Sequence, residues 1–256
     1  MTSGAQSISC FFPAFNDAAS VGKVVADALA VLPGLTADYE VIIVDDGSTD
    51  NTSAVLNRLV ATNQHVRVVR HETNRGYGAA LRSGFRNATK DLIFYTDGDG
   101  QYDVSELSCL HASLADGVDV INGYKTTRSD AAHRRMLGSF YNRLAHLLFD
   151  LPIRDVDCDF RLLRRPAVER VELTVSSGAI CVQLVHQLAK SGAVFKEIPV
   201  THLPRAHGRS QFFTPWRITR TAVDLFSVWI QSVLVPFLAR LRRGRLHTPA
   251  RCAGEK

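Results

Sequence analysis

The sequence is poor in the residues from which disulfide frameworks and soft-metal sites are built. Its five cysteines, Cys10, Cys109, Cys158, Cys181 and Cys252, are odd in number and scattered, with no CxxC pair. That pattern argues against a disulfide framework or a structural zinc site and fits a reducing compartment. The nine histidines show no metal spacing, and His202 and His207 read as ordinary loop residues. No histidine is visibly paired with Ser48 or Ser210, so a hydrolase triad has no support. No internal repeat is present. The N-terminus lacks a basic segment followed by a long apolar run, because Ile8 to Phe15 is short and holds Pro13; no signal peptide is expected. Basic and aromatic residues are not interleaved, so no nucleic-acid partner is expected.

What remains is an ordinary globular composition, 46% apolar, 21% charged and 8% aromatic over 256 residues. That length suits one large α/β domain with a short appendage. The charge is uneven. Of the 30 Lys and Arg, ten lie from Arg205 onward beside only two of the 25 acids, so the first 204 residues carry a net −3. The basic C-terminal part suits an anionic lipid, phosphate or nucleic acid about equally on charge alone.

Short apolar runs alternate with helical spacing. Ile8–Phe12 reads as a buried strand stopped by Pro13, and Val41–Val44, Val66–Val69 and Leu92–Tyr95 read as three more. Val41–Val44 is entirely β-branched, as a parallel strand covered on both faces should be. Val118–Ile121 and Val194–Val200 read as later strands. Helical patterns fall at Val21–Leu32, after Asp50 through Leu59, and at Gly78–Phe85, Arg134–Phe149 and Ala179–Ala189. Strands separated by helices predict an α/β fold with a mostly parallel sheet covered on both faces.

In such a sheet, ligands bind beyond the carboxyl ends of the strands. Three early strands end in polar clusters: Pro13-Ala14-Phe15-Asn16-Asp17, Asp45-Asp46-Gly47-Ser48-Thr49-Asp50 and Thr96-Asp97-Gly98-Asp99-Gly100-Gln101. One cluster alone would be a turn. Three on one sheet edge point to a site, whose carboxylates repel one another unless a cation or a donor-rich ligand lies among them. Asp97 and Asp99, with the carboxamide of Gln101, offer hard oxygen ligands that suit Mg2+ or Mn2+. Gly76-x-Gly78 is not a dinucleotide fingerprint, since the third glycine position is Leu81. It reads as a turn into a helix whose N-terminus can face phosphate.

Taken in order, these residues resemble the family 2 glycosyltransferases of GT-A fold over roughly Ser7 to Gln211. Pro13-Ala14-Phe15-Asn16-Asp17 is similar to the first signature, with Phe15 where tyrosine is common. Val44-Asp45-Asp46-Gly47-Ser48-Thr49-Asp50 matches the second, Asn74 to Ala80 the third, and Asp97-x-Asp99 the metal motif. Within that family the polyprenol-phosphate sugar synthases look most alike. Their features resemble Gln101, the stretch Asp155-Val156-Asp157-Cys158-Asp159-Phe160-Arg161, and Glu197-Ile198-Pro199-Val200 followed by Arg205, Gly208 and Ser210, with His207 and Arg209 as departures.

The resemblance implies roles. Pro13, Ala14, Phe15 and Asp17 would line the nucleoside pocket, with Asp45 or Asp46 bonding the base or ribose. Asp97 would face ribose and metal, and Asp99 and Gln101 would hold the metal against the diphosphate. Arg135, Ser139, Arg205 and Arg209 are candidates for gripping phosphate. The implied reaction is an inverting transfer from a nucleoside-diphosphate sugar to a polyprenyl phosphate, an acceptor already anionic near neutral pH. A saccharide hydroxyl acceptor would instead require a base, Asp157 or Asp159. A catalytically idle scaffold of the same fold is the rival from another class, and the intact Asp97, Asp99 and Gln101 argue against it.

From Ala222 to Ala239 the chain is mostly apolar and just long enough to span a bilayer. Yet Asp224, Gln231 and Pro236 lie inside it, and Asp224 would be costly in hydrocarbon. Leu225, Phe226, Trp229, Ile230, Val233, Leu234, Phe237 and Leu238 form an apolar stripe, and Arg217, Arg220, Asp224, Ser227 and Gln231 a polar one. An interfacial helix on anionic lipid fits better than a span, with a core or dimer-interface helix as the alternative. The expected organisation is a catalytic domain over 1–211, an amphipathic helix over 212–240 and a basic disordered tail over 241–256. The expected location is peripheral, on the cytoplasmic side of the cell membrane.

Overall fold

The structure is a computed structural model and describes residues 6–126, 132–205 and 214–245; the side chains of 132–135 and 241–245 fall outside that description. Seven strands form one sheet: β1 (Ile8–Ala14), β2 (Tyr39–Asp45), β3 (Val66–Arg70), β4 (Leu92–Tyr95), β5 (Val120–Lys125), β6 (Arg161–Arg164) and β7 (Phe195–Val200). Their order is β3-β2-β1-β4-β6-β5-β7. β1 pairs in parallel with β2 and β4, β2 with β3, and β5 with β7, while β6 runs antiparallel to both its neighbours. The mostly parallel sheet expected from the sequence is therefore present. β6 was not foreseen, because Arg-Leu-Leu-Arg is short and carries charge at both ends.

One expectation is corrected. Pro13 does not end β1, which continues through Pro13 to Ala14 in register with Val44 and Asp45. The reason is which side the backbone faces. Pro13 points its carbonyl toward the β4 side, where it accepts from Gly98 N at 3.2 Å. Its missing N–H would point to that same side, beyond the last β1–β4 pair, Phe11 with Tyr95. No ladder bond is lost, so proline is tolerated there.

The helices are α1 (Val21–Val31), α2 (Thr52–Thr62), α3 (Tyr77–Asn87), α4 (Leu107–Ala112), α5 (Ala132–Phe149), α6 (Arg165–Glu169), α7 (Ile180–Lys190), α8 (Pro215–Trp229) and α9 (Val235–Arg245). Strand side chains alternate between faces. Phe11, Ile42, Ile93 and Tyr95 face a core shared with α3, α5, α7 and α8, whereas Cys10, Phe12, Ile43 and Phe94 face one shared with α1, α2 and α4. Each fully buried Phe, Ile or Leu contributes roughly 1.5–3 kcal/mol of transfer free energy. Covering on both faces thus fixes the sheet and holds its carboxyl edge rigid. Four cysteines, Cys10, Cys109, Cys158 and Cys181, are unpaired among the described residues.

α8 and α9 are joined by a π-helical turn, Ile230–Leu234. Pro215–Arg240 is long and apolar enough to cross a membrane by length and composition, with mean hydropathy 1.7. Its apolar stripe is divided between two environments. Leu225 and Val228 are buried in the core with α7, and Trp229 and Val233 pack against them. Trp216, Val223, Phe226, Val235 and Phe237 are exposed. The boundary expected at 211 lies outside the described residues, and α9 runs to Arg245, five residues into the expected tail.

Candidate active site

The strand ends meet in one cavity of about 790 Å³. At the end of β1, Asn16 adopts a left-handed backbone with φ 58°, and its carboxamide oxygen accepts from Thr49 N at 2.8 Å. Asp17 N donates to Thr52 Oγ1 at 3.0 Å. The first two polar clusters are therefore laced into one wall. Asp17 accepts from Phe15 N at 3.0 Å. Burial pushes its carboxyl up to about 6, opposed by that bond, with Asp99 raising it and Arg205 lowering it. Gly98 crosses so close to β1 that a Cβ would sit 2.8 Å from the Pro13 carbonyl oxygen. Only glycine permits that approach.

Asp45 and Asp46 prove to be loop organisers. Asp45 accepts from Ser48 N at 3.0 Å and from Ser53 Oγ at 2.8 Å, and it is not among the residues lining the cavity. Asp46 does line the cavity, yet its two oxygens accept from Arg75 N and Gly76 N, both at 2.9 Å. His71 Nδ1 adds a contact of 2.5 Å. The second polar cluster thus clamps the turn into α3. At that turn Gly76 has φ 95°, and a Cβ there would meet the Ser176 carbonyl oxygen at 2.5 Å.

The clamp delivers Tyr77, whose hydroxyl lies 2.7 Å from Asp97 Oδ1 and 2.9 Å from Asp159 Oδ2. Burial, then Asp159 and Asp99, push the Asp97 carboxyl well above the usual carboxylate range. Asp159 is held from behind, accepting from Arg161 Nη1 at 2.9 Å and Cys181 Sγ at 3.2 Å. Arg161 is fully buried and also donates through Nε to Asn122 Oδ1. The Lys125 ammonium donates to the Asp157 carbonyl oxygen at 2.8 Å. Burial alone would lower its pKa, but Asp155, Cys158, Asp157 and Asp159 outweigh this and raise it.

Asp99 and Gln101 face a different partner. Gln101 N donates to Asp99 Oδ1 at 3.0 Å. Arg205 Nη2 donates to Asp99 Oδ2 and to Gln101 Oε1, the latter at 3.1 Å. The strand-like pairing of Leu203 N with the Gln101 carbonyl oxygen, 2.8 Å, seats Arg205 there. Asp97 and Asp99 therefore point into two different networks within one cavity.

Beyond the carboxylates the cavity continues between α5 and α8, past Leu137, Phe140, Leu144, Ile218, Leu225 and Phe226. Tyr141 Oη, Thr221 Oγ1 and Arg205 Nε line it or stand on residues that do, and each is buried with no hydrogen-bond partner among the described residues. Arg217 on α8 lies over the Phe15 ring at 5.7 Å. Of the residues expected at the site, Pro13, Ala14, Phe15, Asp17, Asp46, Asp97, Asp99, Gln101, Asp157, Asp159 and Arg205 meet in this cavity. Ser139 is exposed and does not line it. Arg209 and the side chain of Arg135 lie outside the described residues. Tyr77, Lys125, Tyr141, Arg217 and Thr221 line it without having been foreseen.

The family described as Glycosyl transferase family 2 matches residues 9–172, more than half of the chain. Among solved structures, the chain is similar to glucosyl-3-phosphoglycerate synthase from Mycobacterium tuberculosis in complex with Mn2+, UDP and phosphoglyceric acid. That likeness has TM-score 0.66 and 17% identity, over 88% of this chain and 78% of that one. The same enzyme with Mn2+, UDP-glucose and phosphoglyceric acid matches at TM-score 0.64 and 17% identity, over 88% and 79%. A crystal structure described as that of a mycobacterial protein matches at TM-score 0.65 and 17% identity, over 88% and 74%. The shared architecture is the GT-A fold expected from the sequence.

Proposed function

This chain belongs to glycosyl transferase family 2, and on that premise we propose that it transfers a sugar, with inversion, from a nucleoside diphosphate to a polyprenyl phosphate at a membrane surface. The observation that carries this reading is the two-part cavity. Its inner end is built of carboxylates, and its outer end is an apolar trough between α5 and α8. The two helices that form the trough also carry exposed apolar side chains, Met136 at 74% and Leu147 at 83% on α5 and Trp216 at 72% on α8. A small polar acceptor has no use for such a trough; a prenyl chain does. Where the two parts meet, the unpartnered Tyr141 hydroxyl, Thr221 hydroxyl and Arg205 Nε offer donors to a phosphate. Buried polar groups left unpaired cost about 1–3 kcal/mol each, so a ligand that satisfies them gains affinity.

The donor set fits Mg2+ or Mn2+. Among the described residues no three His, Cys, Asp or Glu side chains are grouped to hold a metal by themselves. These hard ions, however, are usually bound by one or two carboxylates together with substrate phosphates. Asp99 and Gln101 already share a cation, the Arg205 guanidinium, and with Asp97 would hold the ion. Once bound, it would offset charge developing on the leaving diphosphate. Phe15 and Asp17 would border the nucleoside, with Arg217 over the Phe15 ring. Lys125 supplies fixed positive charge beside Asp157. Because the acceptor phosphate is itself the nucleophile, Asp157 need not act as a base.

α8 is anchored to the catalytic body through Leu225 and Val228, so it cannot enter a bilayer lengthwise without drawing α7 along. This supports an interfacial helix over a spanning one; with it goes the proposed peripheral position, on the cytoplasmic side of an anionic membrane. The M. tuberculosis synthase captured with phosphoglyceric acid keeps a second reading open, transfer to a small phosphorylated or saccharide acceptor. The test is mass spectrometry of products from a panel of nucleotide sugars with Mn2+, offered a short-chain prenyl phosphate, phosphoglycerate or a free sugar. A glycosylated prenyl phosphate is expected, and Asp157→Asn should keep its rate within about tenfold, below the usual contribution of a general base. Product only from phosphoglycerate or the sugar would overturn the lipid reading.

A further inference from the structure

The contact between Arg205 and the Asp99–Gln101 pair has a use beyond neutralising a carboxylate. Arg205 Nη2 reaches the same two oxygens, Asp99 Oδ2 and Gln101 Oε1, that are the proposed ligands of the divalent ion. We propose that Arg205 is a placeholder cation: it occupies the metal position in the ligand-free protein, and metal entry displaces it toward the acceptor phosphate. This inference rests on the metal and phosphate reading given above.

Three features support displacement over permanent attachment. The backbone that carries Arg205 is fixed independently of the guanidinium. Leu203 N donates to the Gln101 carbonyl oxygen at 2.8 Å, Gln101 Nε2 donates to the Leu203 carbonyl oxygen at 3.3 Å, and Tyr102 bridges to His202. Rotation of one long side chain therefore suffices, and the anchor stays in place. Second, the guanidinium is only partly satisfied. Its Nη2 serves both acceptors while its Nε is buried with no hydrogen-bond partner among the described residues. A strut meant to be permanent would use the bidentate geometry that arginine offers a carboxylate. Third, a divalent ion and a guanidinium cannot share one carboxylate oxygen at contact distance, since like charges repel steeply in a half-buried site.

The displaced guanidinium still lines the cavity that holds the unpartnered Tyr141 and Thr221 hydroxyls. A phosphate there gives the arginine an anion to replace Asp99. The arrangement sets an order. Until metal and nucleotide arrive, Arg205 is engaged and the acceptor phosphate finds a weakened site. Metal entry supplies the cation at Asp99 and frees the arginine in one exchange. The donor is then in place before the acceptor is gripped.

The test measures binding, not turnover, with the full chain. Mn2+ alone is titrated by calorimetry or by electron paramagnetic resonance into wild type, Arg205→Gln and Arg205→Lys. If the placeholder occupies the site about nine-tenths of the time, its removal raises apparent Mn2+ affinity roughly tenfold, because a binding-competent fraction scales the apparent constant directly. Arg205→Gln should show that gain and Arg205→Lys, which keeps the charge, should not. In a second arm, Mn2+ with UDP should tighten wild-type binding of a short-chain prenyl phosphate by a similar factor, and Arg205→Gln should lose that coupling. Equal Mn2+ affinity in wild type and Arg205→Gln, both abolished by Asp99→Asn, would overturn the exchange and leave the metal reading standing. Absence of Mn2+ binding by every variant, even with UDP present, would overturn both.

Discussion

The Tyr77 hydroxyl lies 2.7 Å from Asp97 Oδ1. That hydroxyl is also 2.9 Å from Asp159 Oδ2, so two carboxyl groups crowd one phenol that has a single proton to give. Both contacts can be hydrogen bonds only if one carboxyl carries a second proton. Burial, then Asp159 and Asp99, push Asp97 well above the usual carboxylate range, which favours that proton on Asp97. Tyr77→Phe removes the bridge and leaves the two carboxyls to face each other unscreened. The loss in stability should be about 1–3 kcal/mol, the cost of leaving a buried polar group unpaired. It should be larger at pH 8 than at pH 5, because the Tyr77 hydrogen bond favours the ionised form of Asp97, which is more populated at the higher pH. Urea denaturation at the two pH values, in chelator, checks both the size and the trend.

Asp17 gives a pH signature of its own. Its carboxyl is raised from 3.8 to about 6, first by burial, with Asp99 adding and the Phe15 N–H opposing. The folded state therefore disfavours the ionised form. Below about pH 4 the group is neutral in both folded and unfolded chains and contributes nothing. Between about pH 4 and 6 the unfolded chain ionises first, so wild type loses stability as the pH rises through that window. Asp17→Asn should match wild type near pH 4 and exceed it above pH 6 by about 1–2 kcal/mol, a figure reduced for solvent screening at this half-buried position. Thermal melts from pH 4 to 8 without metal provide the comparison. Parallel curves across the range would show that Asp17 is not desolvated.

Behind the site, Arg161 is fully buried, donating to Asp159, Asn122, Tyr95 and the Val156 carbonyl oxygen. Arg161→Met keeps much of the volume but strands Asp159 without its cation. Breaking a buried pair from one side costs about 3–5 kcal/mol. The variant should unfold at markedly lower urea. The partner change Asp159→Asn should also destabilise, and the double variant should lose less than the sum of the two, because the pair acts as a unit. Strict additivity would show that the pair is not coupled.

How much of this was legible in the sequence depended on what kind of contact was involved. The strand runs and the glycine-spaced carboxylates were readable, because β-branched runs report burial on two faces and a Gly between acids reports a tight loop. Gly98 lies against the Pro13 carbonyl, whereas the sequence reads that glycine as making room for a ligand. For Asp45 and Asp46 the resemblance implies that one or the other bonds the base or ribose, and Asp46 does line the cavity. Only the fold reveals that their oxygens also accept from Ser48, Ser53, Arg75 and Gly76 and so order the loops. Lys125 carries no local pattern, and the patterns that contain Tyr77 and Arg217, a turn signature and a helical stripe, do not mark either as a residue of the site. Tyr77 matters because Asp159 is brought to it from 82 residues away, and periodicity has no signal for such proximity. β6 was missed for a related reason: its strand character comes from pairing with β4 and β5, not from its four residues.

The C-terminal helix offers the last prediction, and the structure dictates how it must be tested. Deleting the helix would expose the core contacts of Leu225 and Val228, so loss of membrane binding in a truncated chain would be confounded with unfolding. The exposed side is separable. Trp216, Val223 and Phe237 are all more than half exposed and belong to neither buried core cluster. Replacing Trp216 and Phe237 with serine should leave the melting temperature within the range of surface changes, since such substitutions usually shift stability by less than about 0.5 kcal/mol. The same pair should cost vesicle affinity heavily. Each large apolar side chain moved from water into an apolar medium is worth roughly 1.5–3 kcal/mol, so two of them amount to a loss on the order of a hundredfold or more. Sedimentation with phosphatidylserine-containing vesicles measures the affinity, and added salt separates the arginine contribution, which screening weakens. A stable double variant that still sediments like wild type would mean that this face docks against another protein surface and that the membrane is held elsewhere.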